Sequence, residues 1–326
     1  MKSKELKQPN KQLMKTKLIF VISAMLVFAE IQSQSFERGP YTVTRIDETV
    51  FHIEDANKSN PSGIQTDQTG KTSGFNNCSD MYLITGRDKI LLIDLSNFIK
   101  WDTSAVSALR SIVYEQKGRK ELYITVTHNH GDHLGMLPAF KEDQDAHFWI
   151  PSEEFRGKDI FPAERTVAFT ENATLDLGGG VVITSFEVPG HTAHSTIFFL
   201  KDRNLLFTGD ALGSGNGVWL FSSNSFLAYK ESIQRLAKYI SDPENKIDSK
   251  KLVIYGGHYW QKGKMEKLTG QYIADMQLLI GKIGDGSASE EKTTYNKYLD
   301  TNFRYGTATI TWNKADAVKY SAAIAR

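Results

Sequence analysis

Three of the chain's eight histidines fall within six positions, in the run Thr127-His128-Asn129-His130-Gly131-Asp132-His133. The run follows directly on Leu122-Tyr123-Ile124-Thr125-Val126-Thr127, which reads as a buried β-strand. Side chains on a strand alternate with a period of two, so an extension of this strand points His128 and His130 the same way. Asp132 and His133 then fall in the following turn or first helical turn, and Gly131 is expected to permit the tight backbone there. Imidazole and carboxylate are both good ligands for zinc and similar metals. A strand with donors at its C-terminal end is also where α/β folds place their sites.

Three more donors follow strand-like segments. Val188-Pro189-Gly190-His191 places His191 beyond VVITSFEV (181–188). Phe207-Thr208-Gly209-Asp210 places Asp210 beyond NLLFT (204–208). Tyr255-Gly256-Gly257-His258 places His258 beyond LVIY (252–255). Each sits at a strand exit beside a glycine. Seven donors exceed what one tetrahedral metal needs, and suit two metals that share a carboxylate.

The rest of the pattern interleaves short strands with amphipathic helices. Residues 41–46, 50–53, 195–200 and 308–312 read as strands, and 81–85 with 89–94 as a hairpin. Residues 101–117, 226–240 and 265–283 read as helices, the second with Leu227, Ile233, Leu236 and Ile240 on or near one face. No fixed repeat and no linker divides residues 35–326, which are expected to form one domain. A single Cys excludes a disulfide framework, and the near-neutral balance gives no electrostatic reason to expect nucleic-acid binding.

The set His128-x-His130-x-Asp132-His133, His191, Asp210, His258 resembles the metallo-β-lactamase-fold hydrolase superfamily, over about residues 40–280 with an extension at 281–326. Leu91-Leu92-Ile93-Asp94 is similar to that family's first motif. The resemblance implies a four-layer αββα sandwich (α/β, or α+β) with a dinuclear site, most often Zn2+, at one edge. It implies that His128, His130 and His191 hold the first metal, that Asp132, His133 and His258 hold the second, and that Asp210 bridges them. Asp132 would also orient a metal-bound hydroxide attacking a carbonyl, and Asp94 would hold a ligand's orientation by hydrogen bonding. The implied substrate is a small ester, lactone, thioester or amide. The family's β-lactamases usually carry Cys or Ser where Asp210 stands, which lowers a β-lactam reading. A metal-bound binding or sensor protein without turnover is the alternative from another class. The residue types accept zinc, iron or manganese.

Other residues admit two readings. Trp219, Phe221, Tyr259 and Trp260 follow donor-bearing loops and either pack the core or line a substrate pocket. Segment 56–77 is either a lid or a surface insertion. His194 is expected to be supporting rather than ligating, His52 and His147 to be packing or surface residues, and Cys78 to be a buried thiol.

Residues 1–17 carry six Lys and one acid, and Leu18–Ala29 carries no charge. This is the order of a secretory signal, and 12 apolar residues are short for a bilayer span. Residues 1–34 are therefore expected to be removed on export to a periplasmic or extracellular space, leaving no stable membrane insertion. The remaining 33 basic and 36 acidic residues give a net charge of −3. Intact-mass analysis of the exported protein should show an N-terminus between about residues 30 and 35. Exported chains that still begin at Met1 would exclude cleavage.

Overall fold

In a computed structural model, the described residues are 35–55, 65–66, 72–73, 77–100, 102–213, 215, 217–262 and 268–324. The expected signal segment and most of segment 56–77 lie outside them. Residues 35–326 form one compact unit.

The first sheet runs Ser35–Arg38, Tyr41–Arg45, Val50–Glu54, Met81–Thr85, Lys89–Ile93, Glu121–Thr125, Ala146–Pro151, Thr166–Phe169 in spatial order. Its first five strands are antiparallel neighbours, and from Lys89–Ile93 onward the strands are parallel. The second sheet runs Thr174–Asp176, Val182–Glu187, Thr196–Leu200, Leu205–Phe207, Val253–Tyr255, Leu268–Thr269, with a parallel pairing between Leu205–Phe207 and Val253–Tyr255.

Period-two alternation stacks the layers. Leu91 and Ile93 point inward against Ile183, Phe198, Leu200 and Phe207 of the second sheet. Their neighbours Ile90 and Leu92 point outward onto Leu109, Ile112 and Val113 of helix α1 (Ala105–Lys117). On the second sheet Ile197, Phe199 and Leu206 face helices α2 (Ser223–Ser241) and α3 (Gln271–Asp285). Both faces of both sheets are covered, which gives the αββα order. Among the described residues no helix is long and apolar enough to cross a membrane.

Several expectations shift. Helix α1 starts at Ala105, not at residue 101, because Asp102 Oδ1 accepts from Ser104 N at 2.8 Å in a turn before it. On α2 the buried stripe is Phe226, Tyr229, Ile233, Leu236 and Ile240, while Leu227 is 44% exposed. Residues 265–283 are not one helix. Leu268–Thr269 pairs with Val253–Tyr255 as the edge strand of the second sheet, and α3 begins only at Gln271. The C-terminal stretch holds more than the one expected strand. Val218–Trp219, Ala308–Trp312, Leu299–Tyr305 and Ser289–Asn296 form a third sheet, followed by helix α4 (Lys314–Ile324). The segment Ser289–Asn296 (SEEKTTYN) has little apolar alternation, so only its pairing with Leu299–Tyr305 makes it a strand.

Trp312 ties this third sheet to the body. Its ring is fully buried and stacks on Phe226 of α2 at 4.3 Å with an interplanar angle of 1°. Replacing it by Ala removes a large buried ring and leaves a cavity. Trp312→Ala should lower stability by about 3–5 kcal/mol, read from the urea unfolding midpoint.

Candidate metal centre

All the sequence-predicted donors meet at one edge of the sandwich, where the C-terminal ends of strands from both sheets converge. Asp94 follows Lys89–Ile93, the histidine run follows Glu121–Thr125, and His191, Asp210 and His258 follow strands of the second sheet. His128, His130, His191 and Asp210 form one group of mutually close donor atoms, and Asp132, His133 and His258 form another.

Asp210 stands between the groups. Its Oδ2 lies 3.4 Å from His191 Nε2, and its Oδ1 lies 3.3 Å from His133 Nε2 and 3.2 Å from His258 Nε2. Asp132 Oδ2 is 3.4 Å from His258 Nε2, and His191 Nε2 is 3.0 Å from His130 Nδ1.

The far nitrogens of these rings are tied down. His133 Nδ1 donates to Asp94 Oδ2 at 2.9 Å, His191 Nδ1 to Trp219 O at 3.0 Å, and His258 Nδ1 to Cys78 O at 2.7 Å. His128 Nδ1 meets Thr127 Oγ1 at 3.1 Å. In each case Nε2 is left to face the centre, with the tautomer set by its partner. His128 Nε2 is buried with no hydrogen-bond partner among the described residues, and His133 Nε2 has only Asp210 Oδ1, outside hydrogen-bond geometry. Buried polar atoms are rarely left this way, so the donor set fits bound cations.

Electrostatics divide the two groups. Burial holds His128 well below the ordinary imidazole pKa, lowers His191 and brings His130 to about 4. These three are neutral and ready to ligate at pH 7. Burial also works against charge on His258 and His133, but carboxylates outweigh it. Asp210 and Asp132 raise His258 to about 10, and Asp94 and Asp210 raise His133 well above its ordinary value. Burial likewise opposes ionisation of Asp210, yet His258 and His133 hold its carboxyl well below the carboxylate range. Without a cation the second group thus carries protons that a metal must displace.

Three of the four glycines beside these donors are required by contact. Gly209 has φ +49°, and a Cβ there would lie 2.3 Å from Thr127 Oγ1. One at Gly190 would meet Tyr229, and one at Gly257 would lie 2.8 Å from Asp210 Oδ1. Gly131 is different. Its φ is ordinary and the space for a Cβ is open, so the turn Gly131–His133 does not need glycine.

Supporting residues emerge that the sequence left unremarked. The Glu154 carboxylate, buried, accepts from Asn129 N at 2.9 Å and from His194 N at 3.0 Å, linking two donor loops. Behind His258, Asp80 Oδ2 accepts from Tyr259 N at 2.7 Å and Asp80 Oδ1 pairs with His52 Nε2 at 2.7 Å. Tyr82 OH donates to Gly256 O at 2.6 Å. His52 is therefore part of a polar clamp on the His258 loop. His147 stacks on Tyr123, and His194 lies 3.5 Å from Glu187.

A cleft of about 180 Å³ opens over the centre, lined by Asn77, Trp219, Phe221 and Gln261 beside the donors. Asn77, the last residue of segment 56–77, donates to Asp132 Oδ2 at 2.5 Å. Tyr259 does not line the cleft: it is buried, and its hydroxyl accepts from Gly256 N at 3.1 Å. The Trp260 side chain lies outside the described residues.

Residues 79–258 match the model of the metallo-beta-lactamase superfamily. The lactamase-like protein nscB of Trichophyton equinum is 29% identical over 142 residues, 43% of this chain and 39% of that protein. The beta-lactamase-like protein 2 homolog of Caenorhabditis elegans is 26% identical over 196 residues, 60% of each. The chain thus spans between about two fifths and three fifths of these relatives' length. The metallo-beta-lactamase from Pontibacter korlensis superposes with a TM-score of 0.52 at 17% identity, over 74% of this chain and 99% of that one. The metallo-beta-lactamase FIM-1 from Pseudomonas aeruginosa, in its mono-zinc form, gives 0.50 at 17% identity, over 76% and 97%.

Asp94→Asn keeps a residue that tolerates the left-handed φ of +62° but weakens the acceptor for His133 Nδ1. Zinc affinity should fall about 10- to 100-fold in competition with a chromophoric chelator. An unchanged affinity would show that Asp94 does not position His133.

Proposed function

The chain belongs to the metallo-beta-lactamase superfamily, and we propose that it is an exported hydrolase that holds two divalent cations, zinc first among them, and cleaves a small ester, lactone, thioester or amide. The observation that carries this reading is the pair of donor groups joined through the two oxygens of Asp210. His128, His130 and His191 would hold the first cation, Asp132, His133 and His258 the second, and Asp210 both. Cations held there would polarise a carbonyl and lower the pKa of a water towards about 7.

The chain's own groups account for the rest of the chemistry. Asp94, Trp219 O and Cys78 O fix the ring orientations before any substrate arrives. Asp132 lies on the cleft wall, where its carboxylate can accept a hydrogen bond from the attacking water and aim it. Asn77 holds Asp132 in place through Oδ2. Trp219 and Phe221 cover one side of the cleft and exclude bulk water. Gln261 also lines the cleft. Export is supported by the charge and hydropathy order of residues 2–29.

Purified protein should contain two metals per chain by elemental analysis. It should hydrolyse at least one member of a panel of lactones, thioesters, esters and a chromogenic cephalosporin, and chelator should abolish the turnover. Asp210→Ala should lower metal content from two towards one and remove nearly all activity. A two-metal protein that turns over nothing on the panel would point instead to a binding protein on this fold.

A further inference from the structure

The cleft over the donors is small. At about 180 Å³ it falls below the roughly 300–1,000 Å³ of an ordinary ligand pocket and admits about one small ring's worth of substrate. Any larger substrate extends over the rim. On one side that rim carries three aromatic side chains, Phe221 and Trp219 on the cleft wall and Tyr295 beyond them. The Phe221 ring lies 5.6 Å from His191 and 6.3 Å from His130. Trp219 lines the cleft two residues earlier, and Tyr295 packs on the Trp219 ring at 4.9 Å with a 35° tilt. Phe221 is 37% exposed and Tyr295 41% exposed, so ring surface runs from the donors to the outer edge.

This wall is built by the C-terminal sheet. Val218–Trp219 pairs in parallel with Ala308–Trp312, and Leu220 N donates to Thr311 O at 3.0 Å. Gly217, at φ +110°, is pressed so closely on Thr309 that a Cβ would lie 2.7 Å from it. Tyr295 comes from Ser289–Asn296, whose pairing with Leu299–Tyr305 shifts register between Lys292 and Asn296. Ser289–Asn296, Leu299–Tyr305 and Ala308–Trp312 lie beyond the segment 79–258 that matches the family model, while Gly217–Phe221 lie within it.

We propose that the substrate carries a planar aromatic group, which lies along Phe221, Trp219 and Tyr295. The C-terminal sheet supplies the outer end of this subsite. The proposal rests on the hydrolase reading above and deepens it. Aromatic rings prefer offset or tilted partners at 4.5–7 Å, and such contacts add to the affinity from area burial alone.

The test uses the full metal-loaded protein and two methyl esters with the same leaving group, methyl 2-naphthylacetate and methyl butyrate. The wild type should prefer the naphthyl ester in kcat/KM. Tyr295→Ala should lower the naphthyl-to-butyrate ratio about tenfold, mainly through KM, and Tyr295→Phe should restore it. An unchanged ratio in Tyr295→Ala would overturn the proposal, including the case where both substrates suffer together because Trp219 and His191 have shifted. A second measurement does not need turnover. By ligand-observed NMR, 2-naphthalenemethanol should bind about tenfold more tightly than cyclohexylmethanol, and Tyr295→Ala should erase the difference. Equal binding by the wild type would overturn the subsite. If nothing on the lactone, thioester, ester and cephalosporin panel is cleaved but the naphthyl probe binds selectively, the hydrolase reading fails and the aromatic subsite stands.

Discussion

One buried carboxylate organises the centre. Asp94 follows the strand Lys89–Ile93 in a left-handed conformation, and its side chain is almost fully enclosed. A buried charge is tolerable only if it is paired and hydrogen-bonded. Asp94 accepts from Thr127 N at 2.7 Å, from Thr127 Oγ1 at 2.9 Å and from His133 Nδ1 at 2.9 Å. Thr127 in turn meets His128 Nδ1 and receives the close approach of Gly209, the residue before Asp210. Parts of both donor groups therefore hang on the same two oxygens. The parallel pairing of Lys89–Ile93 with Glu121–Thr125 brings Asp94 beside Thr127.

The charge arrangement follows from that frame. Three imidazoles sit where burial keeps them neutral, and two sit where carboxylates keep them protonated. In the metal-free chain, protons on His133 and His258 face the carboxylates of Asp94, Asp132 and Asp210. A cation at the second group would replace those protons, so filling it is coupled to pH in a way that filling the first is not. Rigidity comes from outside the donors. Glu154 ties the loops of Asn129 and His194, and the 78–82 segment with His52 clamps the His258 loop. The third sheet adds Trp219, whose carbonyl holds His191 while its ring faces the cleft. Ligand geometry and substrate contact thus meet in one residue.

Much of this was legible in the sequence. The two sheets are written in short continuous apolar runs, such as KILLI and TIFFL, that mark strands covered on both faces, and α2 in a stripe of period 3.6. The seven donors were legible because each follows a strand, and a strand end is a fixed place in a layered fold. What local pattern could not supply were interactions made by atoms every residue has. The carbonyls of Cys78 and Trp219 orient two histidines, and no side-chain motif marks a carbonyl. Glu154, Asp80 and His52 look like ordinary polar residues until distant segments meet.

The sequence by itself determined the strands and helices, the donor types and the strand ends that carry them, because hydrophobic pattern and ligand chemistry are local properties; the layered sandwich followed only from the family resemblance of those donors. Only the tertiary structure decided the rest. It placed Tyr259 in the core and Phe221 in the rim, began α3 at Gln271, and made a strand of the polar segment Ser289–Asn296. Those outcomes depend on which partner each segment finds across the fold, and burial and strand pairing are properties of two segments together rather than of either alone.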